Sequence, residues 1–128
     1  MANMYKGSCR CGAVAYQCDG HPYRTGLCHC GDCRKETGSA FLYYADWRRD
    51  QFSVTGEYST YEGRSFCPRC GTALFHLDER GVEVALGSLD EAPVALVPQN
   101  EGWIRRREPW MAQVIGASQH REDLRHPV

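Results

Sequence analysis

With 128 residues the chain is long enough for one domain with a modest core, and its apolar content of 42% is somewhat below the usual range. A formal net charge of -1 argues against bulk attraction to nucleic acid or to an acidic membrane. A mean hydropathy of -0.54 leaves no candidate membrane span, and Met1–Lys6 lacks the apolar run of a secretory signal.

Eight cysteines are the unusual feature. Without an export signal, metal binding or catalysis is a better expectation for them than disulfides, in a reducing, cytoplasmic compartment. In chain order, Ser8-Cys9-Arg10-Cys11-Gly12 comes first. Residues i and i+2 of an extended segment face the same side, so Cys9 and Cys11 can present both sulfurs to one ion, and Gly12 permits the positive φ of a tight turn. Ala13–Cys18 reads as a strand, with Cys18 on the face of Val14 and Tyr16 as a small buried hydrophobe. Asp19-Gly20-His21-Pro22 is a turn cluster.

Cys28-His29-Cys30-Gly31-Asp32-Cys33-Arg34-Lys35 follows, with three thiols inside six residues. Residues 30–37 have the length of two helical turns ending at Gly38, a C′ position. Phe41–Ala45 predicts a buried strand, and Phe52–Thr55 and Tyr58–Tyr61 predict two short strands around Gly56. Cys67-Pro68-Arg69-Cys70-Gly71 has the form of a zinc knuckle. Ala73–Leu77 and Val82–Leu86 enclose Asp78-Glu79-Arg80-Gly81 as a hairpin would. Pro93, Pro98 and Pro109 argue for irregular or edge structure, and Ser118–Val128 for a mobile tail. Many short strands and little helix make a mainly β domain over residues 1–116, with a polar tail over 117–128.

Seven of the cysteines fall into a pair, a triplet and a pair. The two pairs supply four thiolates for one closed tetrahedral site, Cys9, Cys11, Cys67 and Cys70, which would contribute directly to folding. The triplet Cys28, Cys30 and Cys33 is left for an open site. In a competing partition, Cys18 or His29 completes the triplet and closes it. Zinc with three thiolates carries about one net negative charge and is a weak Lewis acid toward water, yet it accepts a further thiolate, so the open site suits a thiol substrate.

Three segments together carry a resemblance to a known family: Gly7–Tyr16, Cys28–Phe41 and Arg64–Leu74. With Gly87-Ser88-Leu89-Asp90 and Pro109-Trp110, they resemble the glutathione-dependent formaldehyde-activating enzymes, the CENP-V/GFA domain, over roughly residues 4 to 111. The resemblance implies a β-rich, Mss4-like fold of small antiparallel sheets with two zincs per chain. In it Cys9, Cys11, Cys67 and Cys70 are structural ligands, and Cys28, Cys30 and Cys33 catalytic ones. It also implies condensation of formaldehyde with glutathione, classed as a carbon–sulfur lyase in reverse. The sequence departs from the family near Glu101, where a histidine is frequent.

The enzymatic expectation is therefore a small thiol, glutathione or a relative, held by sulfur at the open zinc beside a small aldehyde. Arg34, Lys35 and Arg64 are candidates to pair with its carboxylates, and Thr37 and Ser39 to donate hydrogen bonds. Two alternatives belong to other classes. A non-enzymatic zinc module would bind a protein through Tyr43, Tyr44, Trp47, Arg48 and Arg49, and a redox sensor would use Cys30 and Cys33. The run Arg105-Arg106-Arg107 reads as a solvated face.

Overall fold

A computed structural model describes residues 3–124. They form eleven strands and a single α-helix, with short 3-10 turns between. The strands are β1 (Met4–Ser8), β2 (Ala15–Asp19), β3 (Arg24–Cys28), β4 (Leu42–Trp47), β5 (Phe52–Thr55) and β6 (Ser59–Tyr61). They continue with β7 (Arg64–Phe66), β8 (Ala73–Leu77), β9 (Val82–Ala85), β10 (Asn100–Gly102) and β11 (Ser118–Gln119); the helix is α1 (Gly31–Thr37). The chain divides into two compact units, residues 1–24 with 45–95 and residues 25–44 with 96–128. Among the described residues no helix is long and apolar enough to cross a membrane.

In the first unit β1, β2 and β5 form an antiparallel sheet, with Tyr5 opposite Cys18 and Cys18 opposite Phe52. The strands β6 to β9 form an antiparallel meander. Alternation along β2 buries Tyr16 and Cys18, and the core is completed by Val14, Trp47, Phe52, Leu74, Phe75, Val82 and Val84. The Phe52 and Phe75 rings meet edge to face at 4.9 Å, and Tyr16 adds its ring to the same cluster while its hydroxyl meets Ser88 Oγ at 2.6 Å. Trp47 is fully buried and donates its indole N–H to the Gly20 carbonyl at 2.8 Å. The aromatic run offered above as a protein-binding surface is therefore largely core: Tyr44 and Trp47 are both buried.

The strands expected on either side of Gly56 exist, but they do not pair with each other. β5 joins β2, whereas β6 joins β7. Gly56 has φ +94°, and a Cβ on it would lie 2.0 Å from the Ala13 carbonyl oxygen, so the backbone turns away against Ala13 instead of folding back as a hairpin. The β8–β9 hairpin forms as expected, with Phe75 opposite Val84.

In the second unit the order is β11, β10, β3, β4, and β10 runs parallel to both β11 and β3. The register sets Gly26, Leu27 and Cys28 against Asn100, Glu101 and Gly102. Buried Asn100 accepts from the Tyr44 hydroxyl at 2.8 Å and donates to the Thr25 carbonyl at 3.0 Å. A Cβ on Gly26 would fall 2.2 Å from Asn100 Oδ1, so this strand position needs glycine. The tail differs from the mobile segment expected. Ser118–Gln119 pairs with β10, and Trp103 and Ile104 donate their backbone N–H groups to the carbonyls of Glu122 and His120. Residues 125–128 of that tail lie outside the described residues.

Candidate metal centres

Cys9 and Cys11 lie in the turn between β1 and β2, and Cys67 and Cys70 in the turn between β7 and β8. The two turns repeat one backbone pattern. The N–H of Cys9 bonds the Val14 carbonyl and that of Cys67 the Thr72 carbonyl; the N–H of Gly12 returns to Cys9 and that of Gly71 to Cys67. Gly12 and Gly71 have φ of +82° and +81°, the conformation expected after the second thiol of each pair. All four sulfurs lie within 4.8 Å of one another.

The Cys9–Cys11 and Cys11–Cys67 sulfur separations are 3.6 and 3.8 Å. A tetrahedron of metal–sulfur bonds ~2.3 Å long has edges of ~3.8 Å, so the donor set fits a four-thiolate metal site. Backbone N–H groups of Val14 and Arg69 donate to Cys9 and Cys67 sulfur at 3.2 and 3.4 Å. Hydrogen bonds from the Thr72 hydroxyl and backbone lower the Cys70 thiol to about 5, so this thiol ionises readily. Arg10 N–H to Thr72 Oγ1, 3.0 Å, braces one turn against the other.

The second group lies in the second unit. Cys28 ends β3, and Cys30 caps α1, its sulfur accepting the Cys33 N–H at 3.3 Å. One helical turn then returns Cys33 to the same place, and all three sulfurs lie within 4.8 Å of one another. Gly38, at φ +65°, ends the helix in the left-handed cap that the sequence implied. Burial raises the Cys30 thiol, and the neighbouring Cys33 thiol adds to the rise; a cation reverses both effects. All eight cysteines are free thiols.

His29 stands between two of these thiols and points elsewhere. Its ring is fully buried, and Nε2 meets Glu101 Oε1 at 2.8 Å, so it does not complete the triplet. Cys18 is buried away from both groups, and burial pushes its thiol up to about 12, as befits a core residue. Glu101 is also fully buried. Its Oε2 accepts from the Val114 N–H at 2.8 Å and from Gln119 Nε2 at 3.0 Å, with Arg107 Nη1 at 3.5 Å. Burial alone would raise this carboxyl, but the hydrogen bonds from Gln119, Val114 and His29 and the Arg107 charge hold it below the ordinary carboxylate range. Glu101 thus ties the loop of the three thiols to the segment 107–119.

The family model of the glutathione-dependent formaldehyde-activating enzymes matches residues 4–106, which hold both cysteine groups. The chain belongs to this family. A Halomonas elongata protein with the provisional name glutathione-dependent formaldehyde-activating enzyme is 33% identical over 95 residues, 63% of this chain and 60% of that protein. A Schizosaccharomyces pombe protein described as an uncharacterized lyase is 30% identical over 76 residues, 56% of each. The match thus spans less than two thirds of either relative's length. In fold, a Rhodobacter sphaeroides crystal structure superposes with a TM-score of 0.52 at 23% identity, covering 73% of this chain and 97% of that one.

The remaining candidates of this family member have different fates. Arg34 Nη2 is 2.7 Å from Glu108 Oε2, and its Nη1 donates to the Arg106 carbonyl at 3.2 Å. Lys35 is exposed in the last turn of α1, and Ser39 is exposed just past its cap. Thr37 donates to the Cys33 carbonyl at 2.8 Å and accepts from the Ser39 N–H, a helix-end role. Arg64 lies on β7 in the first unit, whereas the three-thiol group is in the second. Glu101 departs from the family pattern, and its partner His29 lies 72 positions away in the chain, so no local signal joins them.

Proposed function

We propose that the chain is a zinc enzyme that adds a small thiol, glutathione or a relative, to a small aldehyde such as formaldehyde. The reverse direction cleaves the same carbon–sulfur bond. The observation that carries this reading is the three-thiol group: three soft ligands converge in one short loop of a family member, and no fourth protein ligand joins them among the described residues. Cys9, Cys11, Cys67 and Cys70 would hold the structural zinc, and Cys28, Cys30 and Cys33 the catalytic one. When bound there, zinc supplies a coordination position that keeps an incoming thiol ionised.

In the addition, sulfur bonds to the carbonyl carbon, the π electrons move to oxygen, and the thiol proton ends on that oxygen. The residues of the chain act by placement. The Cys33 N–H fixes the Cys30 sulfur, and the His29–Glu101 pair fixes the backbone between Cys28 and Cys30. Lys35 remains exposed for a ligand carboxylate, whereas Arg34 would have to release Glu108 to meet one. Eight free thiols suit a reducing compartment such as the cytoplasm.

The test is NMR exchange spectroscopy of glutathione, formaldehyde and their adduct with zinc-loaded protein. We expect acceleration that saturates in both reactants and disappears in Cys30→Ser. Exchange no faster than the spontaneous reaction contradicts the proposal.

A further inference from the structure

Three consecutive arginines follow β10, and the structure separates them. Arg105 pairs with Glu122 at 2.7 Å and lies over the Trp103 ring. Arg107 donates to Gln119 and faces buried Glu101. The Arg106 side chain has no hydrogen-bond or ion-pair partner among the described residues, although its backbone is fixed at both ends. Its N–H bonds the Trp103 carbonyl at 2.9 Å, and its carbonyl accepts from Arg34 at 3.2 Å.

That guanidinium rests on the three-thiol loop. Its Nη2, Cζ and Nε lie 3.6, 3.7 and 3.9 Å from the place a Cβ would take on Gly31, the residue that follows Cys30. Near-equal distances mean that the group lies broadside on a position with no side chain. Arg106 is exposed, and its side-chain N–H donors meet no partner among the described residues. An unspent fork of donors beside a sulfur-binding site matches a carboxylate on the thiol that binds there, in the bidentate geometry arginine favours.

We infer that Arg106 is a specificity residue which anchors a carboxylate of the thiol substrate and so selects acid-bearing thiols over neutral ones. The inference rests on the thiol-addition reading above and adds to it the residue that would read the thiol's carboxylate. Arg34 supports it indirectly, since its own charge is met by Glu108 and its Nη1 holds the Arg106 carbonyl in place.

The experiment compares glutathione with its dimethyl ester as co-substrates for formaldehyde, using zinc-loaded full-length protein. Arg106→Gln should raise KM for glutathione about ten- to a hundredfold with kcat changed little, the range expected for losing a charged hydrogen-bonded pair. Esterification should raise KM of the wild type by a similar factor, and the two changes together should add little to either alone. Arg106→Lys should recover part of the loss, and Arg105→Gln should leave KM unchanged. Equal effects of Arg106→Gln on both thiols, or none on either, overturn the inference while leaving thiol addition standing. A wild type that accelerates the reaction of neither thiol overturns both.

Discussion

Replacing Glu101 with Gln keeps the shape of a fully buried side chain and removes its charge. In the native chain one carboxylate accepts from His29 Nε2, the Val114 N–H and Gln119 Nε2. A glutamine has one oxygen for three donors. If that oxygen stays with Val114 and Gln119, the amide N–H₂ faces His29 Nε2. The imidazole must then move its proton to Nδ1, which is buried and has no partner among the described residues. If the amide turns the other way, N–H groups oppose N–H groups. Either arrangement leaves at least one buried donor unsatisfied, about 1–3 kcal/mol, and the Arg107 charge loses its buried counterpart. Glu101→Ala strands all the donors and opens a cavity, for about 3–5 kcal/mol, against the roughly 5–15 kcal/mol stability of an ordinary domain. Urea denaturation of the zinc-loaded proteins, read by tryptophan fluorescence, should show the midpoint falling in the order wild type, Glu101→Gln, Glu101→Ala. A Glu101→Gln midpoint equal to the wild type would refute the reasoning, because the hydrogen bonds would then not require a carboxylate.

Burial, with the charge of nearby Glu83, raises the Asp46 carboxyl to about 7, and Arg24 opposes the rise from 3.7 Å. A raised carboxyl binds its proton more tightly in the folded state, so this stability is fully present below the unfolded value near 4 and is lost as pH rises through about 7. Asp46→Asn should flatten the stability profile between those limits and gain up to about 4 kcal/mol above pH 7 by thermal or urea unfolding; an unchanged slope would contradict the assignment. Cys67→Ser removes one of the four clustered thiols from the turns of two hairpins, and we expect loss of cooperative unfolding by circular dichroism; a soluble, fully folded variant would sink the partition of the thiols. Gly26→Ala forces a methyl group onto Asn100 Oδ1 and the Tyr44 hydroxyl, and should lower stability by about 1–3 kcal/mol, measured by the same urea titration.

The cysteine groups were legible in the sequence because metal chemistry writes them locally: ligand pairs, a glycine after each pair, and a short helix closed by Gly38. The hairpin of β8 and β9 was legible for the same reason, since its turn and its apolar residues are adjacent in the chain. The β3–β10 pairing was not, because Arg-Thr-Gly-Leu-Cys and Asn-Glu-Gly carry almost no apolar alternation, and their register is held by Asn100 and by glycines that admit it. Glu101 reads as a surface acid until His29 is brought to it. Arg106 cannot be told from Arg105 and Arg107 by type or by order; what distinguishes it is a neighbour without a side chain.

The central claim, one closed and one open zinc site, is tested most directly by the zinc content of freshly purified protein beside that of Cys30→Ser. Two zinc ions are expected per wild-type chain and one per Cys30→Ser chain, with the variant still folded by circular dichroism. One zinc in both proteins, or two in both, would contradict it.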